Sequence, residues 1–514
     1  MAGDRPARRT DRADRLGRLA VAAAAGFVFH LAYPRPGWDL LGWVGLVPVL
    51  ALAATAPSPA RAFVEAWVAG WAFFVPLLRW LTHTMTTFST LSWPLAVLVL
   101  LLLSAYLALF WGAVAWLVAV LGSSTGQRAL WLAPAFWVAG ELARTHLLGG
   151  FPWGLLGYVP YRRLGIIQVA AWTGVYGVSA LLMLVNAAVA WTLIRHTSRA
   201  VAVSAVVGGL SLGGALALAG GVGPAPAEAP VRVALVQGNI EQAIKWNRAF
   251  QQETLRIYAQ LTREAAPESR LVVWPEAAVP AYVRHEPWVL AWLAALARDV
   301  ERPLLVGAPD AVVDGGRATR YLNSAFLVRD RGIEARYDKM HLVPFGEYVP
   351  LKRLLFFVEA IAAEIGDFTP GREAVIFPLD GAPFGTVICY EVIFPDLVRR
   401  FVSEGARFMV NITNDAWFGD SGGPLQHLAI VPLRAVENGV AIVRAANTGV
   451  SALVSPRGEI GPTLGLFRRG VLGVDVPLSR GQTFYTRYGD LFAYAMSAVT
   501  AAALVAGVLA RRRS

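Results

Sequence analysis

The chain has 514 residues, of which 56% are hydrophobic and only 16% charged, and its mean hydropathy is +0.50. Soluble domains carry about 25% charged residues, so this composition excludes both a disordered chain and a purely soluble protein. Its +11 charge is uneven: residues 226–486 hold 27 Lys+Arg against 28 Asp+Glu, so the basic excess belongs to the apolar remainder and is not a nucleic-acid footprint.

A bilayer core of about 30 Å takes about 20 apolar residues of helix. Apolar blocks at 19–33, 39–55, 62–81, 93–121, 129–148, 165–194 and 200–220 read as seven spans, and 489–510 as one more after the polar segment. The first block has a basic start and an alanine-rich apolar run, as a signal peptide does. Tyr33-Pro34-Arg35-Pro36 offers no small-residue cleavage site, so it reads as an uncleaved helix. Arg5, Arg8, Arg9, Arg12, Arg15 and Arg18 precede it, Arg61, Arg128, Arg195 and Arg199 lie in loops of the same parity, and Arg511, Arg512 and Arg513 close the chain. The opposite loops carry Arg35, Arg162 and Arg163. The positive-inside rule then puts both termini in the cytoplasm and the polar segment outside.

Glu141 and Arg144 are three apart near the end of the fifth span, as an ion pair would be, either structural or facing a substrate. The stretch GGFPWG at 149–154 reads either as a loop admitting a lipid or as plain Gly/Pro turn chemistry. The chain thus divides into a membrane region, 1–220, a Pro/Ala-rich linker, 221–230, a polar domain, 231–486, and a last span with a basic tail, 487–514.

In the polar domain, strands are expected at 231–237, 271–274, 304–306, 325–328, 385–388, 408–411, 441–443 and 452–454, and helices at 248–264, 288–300, 394–404 and 424–438. This alternation implies an α/β domain attached to a multi-pass α-helical membrane bundle. Three segments carry chemistry. In Trp274-Pro275-Glu276 a buried strand ends at a proline and a carboxylate follows; alone, Glu276 reads rather as a cap or surface group. Lys339, in the run DKMHLVPFGEYVP at 338–350, is one of three lysines, with Lys245 and Lys352, against 43 arginines. A lysine where this chain otherwise writes arginine hints at a site needing a compact ammonium. His341 beside it reads as a structural histidine or a base. The third segment is Cys389-Tyr390-Glu391 at a strand-to-helix turn, a place that can expose a nucleophile and aim helix N–H groups at it to lower the thiol pKa; alone, Cys389 reads rather as a buried small hydrophobe. Cys389 is the only cysteine, which excludes an intramolecular disulfide and a cysteine-cluster metal site.

Together these three groups have a logic that each lacks alone. A carboxylate takes the thiol proton, the thiolate attacks a carbonyl to form a thioester, and an ammonium stabilises the oxyanion.

The order WPE, DKMHLVPFGEYVP, CYE resembles the nitrilase (carbon–nitrogen hydrolase) superfamily with its Glu-Lys-Cys triad. The NITNDAWFG run at 411–419, the preceding and following spans, QGNI at 237–240, Lys245-Trp246 and residues 149–153 resemble the apolipoprotein N-acyltransferase family. The resemblance implies an α-β-β-α sandwich on a membrane bundle, with no metal and no cofactor. It implies Glu276 as general base, Lys339 as oxyanion support and Cys389 as nucleophile. Glu347, Glu391, Tyr390, Trp246, Trp417 and Trp153 match positions around the site, and each reads alternatively as packing. The implied reaction moves an acyl chain from a membrane phospholipid through a Cys389 thioester to the α-amine of a diacylglyceryl-modified apolipoprotein, at a bacterial inner membrane. The alternatives are a membrane-anchored amidohydrolase, with water as acceptor, and a non-enzymatic lipid-binding or transport protein. The number of spans exceeds what anchoring a hydrolase of soluble amides requires.

Overall fold

The structure is a computed structural model that describes residues 5–221, 229–242, 248–314, 317–344, 346–348, 368–479 and 481–513. It divides into two compact units: Met1–Leu81 with Pro94–Gly221 and Asp490–Ser514, and Thr82–Trp93 with Val222–Gly489.

In the first unit, six stretches among the described residues are long and apolar enough to cross a membrane: Arg12–Ala32, Pro59–Leu77, Trp93–Gly149, Val175–Arg195, Ser198–Leu218 and Leu491–Leu509. The expected spans 93–121 and 129–148 share one of them, divided by the 3-10 segment Gly126–Leu132. The expected span 165–194 begins as two short helices, Leu164–Ile167 and Ala170–Thr173, before the long Val175–Arg195. The expected span 39–55 is broken into Leu41–Val44 and Val47–Ala54, with Pro48 at the start of the second piece. A break in apolar surroundings strands backbone polar groups, which must find partners within the protein. Asn186, fully buried on helix Val175–Arg195, supplies them. Its Oδ1 accepts from Leu46 N at 2.9 Å and its Nδ2 donates to Gly42 O at 2.9 Å.

The same device holds the irregular 150–158 stretch. Arg144 donates to Trp153 O at 3.1 Å and Gly154 O at 3.4 Å. Glu141 accepts from Leu156 N at 2.7 Å and from Trp137 Nε1 at 2.9 Å. The Tyr33 hydroxyl donates to Leu155 O at 3.0 Å. Glu141 and Arg144 therefore grip the loop that follows their helix, each through its own backbone partners.

Among its described residues the second unit contains two six-stranded mixed sheets. The first is ordered β12-β1-β2-β3-β4-β5, from Gly470–Val476, Val231–Gln237, Leu271–Val273, Leu304–Asp314, Arg317–Arg329 and Gly332–Asp338. The second is ordered β11-β10-β9-β8-β7-β6, from Ile460–Leu464, Ser451–Val454, Ile442–Ala446, Phe408–Thr413, Phe384–Ile388 and Ile376–Phe377. Helices Arg248–Ala265 and Pro287–Asp299 bury Leu255, Tyr258, Val289 and Leu293 against Val236, Val272 and Val306 of the first sheet. Each such aliphatic side chain contributes about 1.5–3 kcal/mol by leaving water. Helices Pro395–Ser403 and Gly423–Asn438 cover the second sheet. The inner faces meet where β1 packs on β9 and β4 on β7, completing an α-β-β-α sandwich. Central strands buried on both faces read as continuous apolar runs, and every one of them was expected from the sequence. The unexpected strands β5, β6, β11 and β12 are the four sheet edges.

Asn186→Leu should lower the stability of the membrane unit by about 1–3 kcal/mol, because the Leu46 N–H and Gly42 carbonyl lose their buried partners. Thermal unfolding in detergent measures this, and an unchanged midpoint would contradict the pinning role.

Candidate active site

Glu276 follows β2 through Pro275. Trp274 anchors that turn, its Nε1 donating to Thr262 Oγ1 at 2.8 Å while its ring stacks on Tyr258 at 4.8 Å. The turn lies directly on β3, where Gly307 is required: a Cβ there would stand 2.5 Å from Pro275 O and 2.7 Å from Glu276 Cα. Lys339 follows β5, and its own N–H donates to Asn323 O at 2.8 Å. The Lys339 Nζ reaches Glu347 Oε1 at 2.8 Å and Glu276 Oε1 at 3.3 Å, and the lysine is 1% exposed. Burial opposes its charge, but Glu347 and Glu276 outweigh burial and hold the ammonium above the usual lysine value.

One cation between two carboxylates leaves a surplus of negative charge, which nearby N–H groups offset. Asn323 Nδ2 donates to Glu276 Oε1 at 2.8 Å and Glu347 Oε1 at 2.9 Å. Asn414 N donates to Glu276 Oε2 at 3.0 Å, and Val343 N to Glu347 Oε2 at 2.8 Å.

Cys389 lies where β7 passes into the 3-10 helix Cys389–Ile393, with φ +54° and 6% exposure. The thiol pKa is not lowered at this turn. Burial and then the Glu276 carboxylate push the thiol well above its ordinary value, against the opposing pull of Lys339. Proton removal from sulfur here needs a base. Glu391 ties two segments together: Oε1 accepts from Tyr337 OH at 2.7 Å, Met340 N at 2.6 Å and His341 N at 3.0 Å, and Oε2 from Ile388 N at 2.7 Å. Burial pushes its carboxyl up to about 7, with the Ile388 and His341 N–H groups opposing the shift.

A second buried network touches the backbone of the same turn. His427 Nε2 is 3.2 Å from Cys389 O, and its Nδ1 is 3.0 Å from Arg444 Nη2. Asp415 pairs with Arg444 at 2.8 and 3.0 Å. Burial opposes the Asp415 charge, yet Arg444 and His427 hold that carboxyl well below the usual carboxylate range. The sequence reading missed Asn323, Asn414, Asp415, His427 and Arg444. A signal existed for the last: an arginine inside the buried strand β9 must have a partner.

Of the other expected residues, Tyr390 is buried edge-on against Phe394 at 5.2 Å. His341 stacks on Phe394 at 4.2 Å, a structural role. Trp417 is half-buried in the turn Asp415–Phe418; its carbonyl accepts from Thr84 Oγ1 at 2.8 Å and its ring meets Phe88 at 4.8 Å. Trp153 belongs to the other unit, packed against Trp80 at 5.0 Å. Trp246, Lys245 and Lys352 lie outside the described residues.

Glu391 should make stability depend on pH. Folded, it holds a proton up to about pH 7, against 4.5 for the ordinary carboxyl. Between these values folding takes up a proton, so its contribution favours the folded form more as pH falls and less as pH rises. Glu391→Gln removes the effect. The wild type should therefore gain stability relative to this variant as pH is lowered from about 7 to about 5, read from unfolding midpoints; a pH-independent difference would contradict the assignment.

The carbon–nitrogen hydrolase family matches residues 232–485, and the apolipoprotein N-acyltransferase N-terminal domain matches residues 25–188. The apolipoprotein N-acyltransferase of Geobacter metallireducens is 43% identical over 502 residues, covering 96% of this chain and 95% of its own. That of Brucella suis is 37% identical, covering 90% of each chain. Among solved structures, an amidase from Nesterenkonia sp. AN1 is similar at a TM-score of 0.39 and 22% identity, covering 52% of this chain and 96% of its own. On these full-length likenesses, the chain belongs to the apolipoprotein N-acyltransferase family and is an acyltransferase.

Proposed function

We propose that the protein moves an acyl chain from a membrane phospholipid, through a thioester on Cys389, to the α-amine of the S-diacylglyceryl cysteine that begins an apolipoprotein. The observation that carries this reading is the buried Lys339 ammonium between Glu276 and Glu347, with both Lys339 and Glu276 acting on the Cys389 thiol. In the first step Glu276 takes the thiol proton and the sulfur attacks the ester carbonyl. Lys339 stabilises the oxyanion, a contribution of about 3–4 kcal/mol for a well-placed donor. The tetrahedral intermediate collapses, the C–O bond breaks, and the leaving alkoxide takes the proton from Glu276 and departs as lysophospholipid. In the second step the amine attacks the thioester and gives its proton to Glu276. The C–S bond breaks, and the proton returns to sulfur as the amide forms. Burial of Cys389 supports transfer to an amine over hydrolysis, because it limits the water that reaches the thioester.

Incubation with a labelled phospholipid tests this reading: label should appear on Cys389 without acceptor and discharge when diacylglyceryl peptide is added. Initial-rate plots should be parallel, as ping-pong kinetics require. Cys389→Ser should abolish transfer in a folded protein. Glu276→Gln should form no thioester, and Lys339→Arg should be severely impaired because a bulky planar guanidinium does not occupy a compact oxyanion site. Intersecting plots with no isolable thioester would replace the covalent carrier with direct transfer.

The reading also places the protein in a bacterial inner membrane with both termini cytoplasmic and the α/β unit outside, supported by the arginine distribution. A reporter fused after Gly221 should read as external and one after Arg512 as cytoplasmic; the reverse for either would overturn the span count.

A further inference from the structure

Cys389 adopts the left-handed backbone, a conformation that is unfavourable for a side-chain-bearing residue and persists only where its surroundings enforce it. The surroundings that enforce it are legible. The Cys389 carbonyl accepts from His427 Nε2 at 3.2 Å and, at the longer distance of 3.5 Å, from Asn411 Nδ2. Both donors are organised by Arg444: its Nη2 lies 3.0 Å from His427 Nδ1, and its Nη1 donates to Asn411 Oδ1. Asp415 in turn fixes Arg444 and accepts from Thr413 Oγ1 at 3.0 Å. His427, Asn411, Thr413 and Arg444 are fully buried, and Asp415 nearly so.

The hydrogen bonds select one form of the imidazole. Nδ1 lies between Arg444 Nη2 at 3.0 Å, which can only donate, and Asp415 Oδ1 at 3.1 Å, which can only accept, so Nε2 decides: the Cys389 carbonyl can only accept, Nε2 must carry a proton, and in a neutral ring Nδ1 then accepts from Arg444. Burial and the Arg444 charge, which push the imidazole below its ordinary pKa, act in the same direction. At the other end of the short helix, Arg434 Nη1 donates to Ile393 O at 3.2 Å, so both ends of Cys389–Ile393 are held through their carbonyls. A fixed carbonyl fixes ψ at Cys389 through the planar peptide, and with it the direction of the Cα–Cβ bond that carries the sulfur.

We propose that His427, oriented by Arg444 and Asp415, is a positioning residue for the nucleophile: its Nε2–H holds the Cys389 carbonyl and thereby aims the thiol. The proposal rests on the reading of Cys389 as the acyl carrier. It predicts a defect confined to the rate of thioester formation, since His427 has no role in holding the lipid.

His427→Asn and His427→Gln separate this role from core packing. Asparagine offers Arg444 an acceptor near the Nδ1 position but does not reach the Cys389 carbonyl; glutamine carries its amide N–H to about the depth of Nε2. Single-turnover acylation of Cys389 by a labelled phospholipid should slow about tenfold to a hundredfold in His427→Asn, the loss of one buried hydrogen bond. The phospholipid concentration for half-maximal rate should stay unchanged, and His427→Gln should restore most of the rate. Acylation at the wild-type rate in His427→Asn overturns the proposal, as do an equal loss in both variants, a change in half-saturation alone, or loss of the thermal unfolding transition in both. If the wild type itself forms no thioester on Cys389, it is the carrier reading that fails, and the two failures are thus distinguishable.

Discussion

A single ammonium buried between two carboxylates constrains the α/β unit more than any other feature. Removing Lys339 from water is costly unless the opposing charges sit close by and their remaining lone pairs are satisfied. Glu276 and Glu347 meet the first condition, and Asn323, Asn414 and Val343 the second. These groups come from the end of β2, from β4, from the loop after β5 and from the end of β8. No local piece of chain could assemble them. Two facing sheets are the scaffold that brings strand ends from distant sequence to one place, and Gly307 lets the Glu276 turn lie against its neighbouring strand.

The ions divide into two sets with different tasks. Lys339 and Glu276 act on the thiol itself, and their effects oppose each other: the carboxylate raises its pKa and the ammonium lowers it. Together with burial the balance keeps the proton on sulfur at rest, so in the proposed reaction the thiolate emerges only as Glu276 removes the proton. His427 touches the backbone of the same residue through its carbonyl, and Arg444 and Asp415 hold His427 from behind. A strained φ at a reactive residue stores no chemistry by itself; it matters because it gives the side chain one direction, and a network without exposed members keeps that direction from averaging.

How much of this was legible in the sequence follows from burial. Every central strand was readable because strands covered on both faces are apolar throughout. The four edge strands were not, because an edge has one neighbour and keeps polar residues: β5 reads GIEARYD and β11 reads IGPTL. The long β3–β4 hairpin was recognised only at 304–306 and 325–328. Its outer half carries Asp310, Arg317 and Arg320, and pairing there comes from register with the partner strand. At the site, Glu276, Lys339 and Cys389 stood out through motif order. Asn323 and His427 did not, since their roles lie in contacts with residues far away in sequence. The broken helix at 41–54 misled for the opposite reason. Its apolar composition is that of a span, and beside Pro48 the residue that marks the break is Asn186, 140 residues from Leu46.

The α/β unit is also not a contiguous piece of the chain. The stretch 82–92, expected as a simple loop between spans, continues the helix Trp80–Phe88, and from Thr82 onward it belongs to the α/β unit. It holds Trp417 by a hydrogen bond from Thr84 and an edge contact from Phe88. Its His83 closes on Gly419, whose φ of +56° and lack of a Cβ permit the approach: a Cβ there would stand 2.4 Å from the imidazole. Trp417 lies within, and Gly419 directly follows, the turn that begins at Asp415, the residue fixing Arg444. The region around Cys389 is therefore completed by residues encoded between two apolar stretches, some 300 positions earlier. A boundary drawn at 231 by composition marks where the soluble-type sequence begins, but the unit that folds around the thiol begins at Thr82.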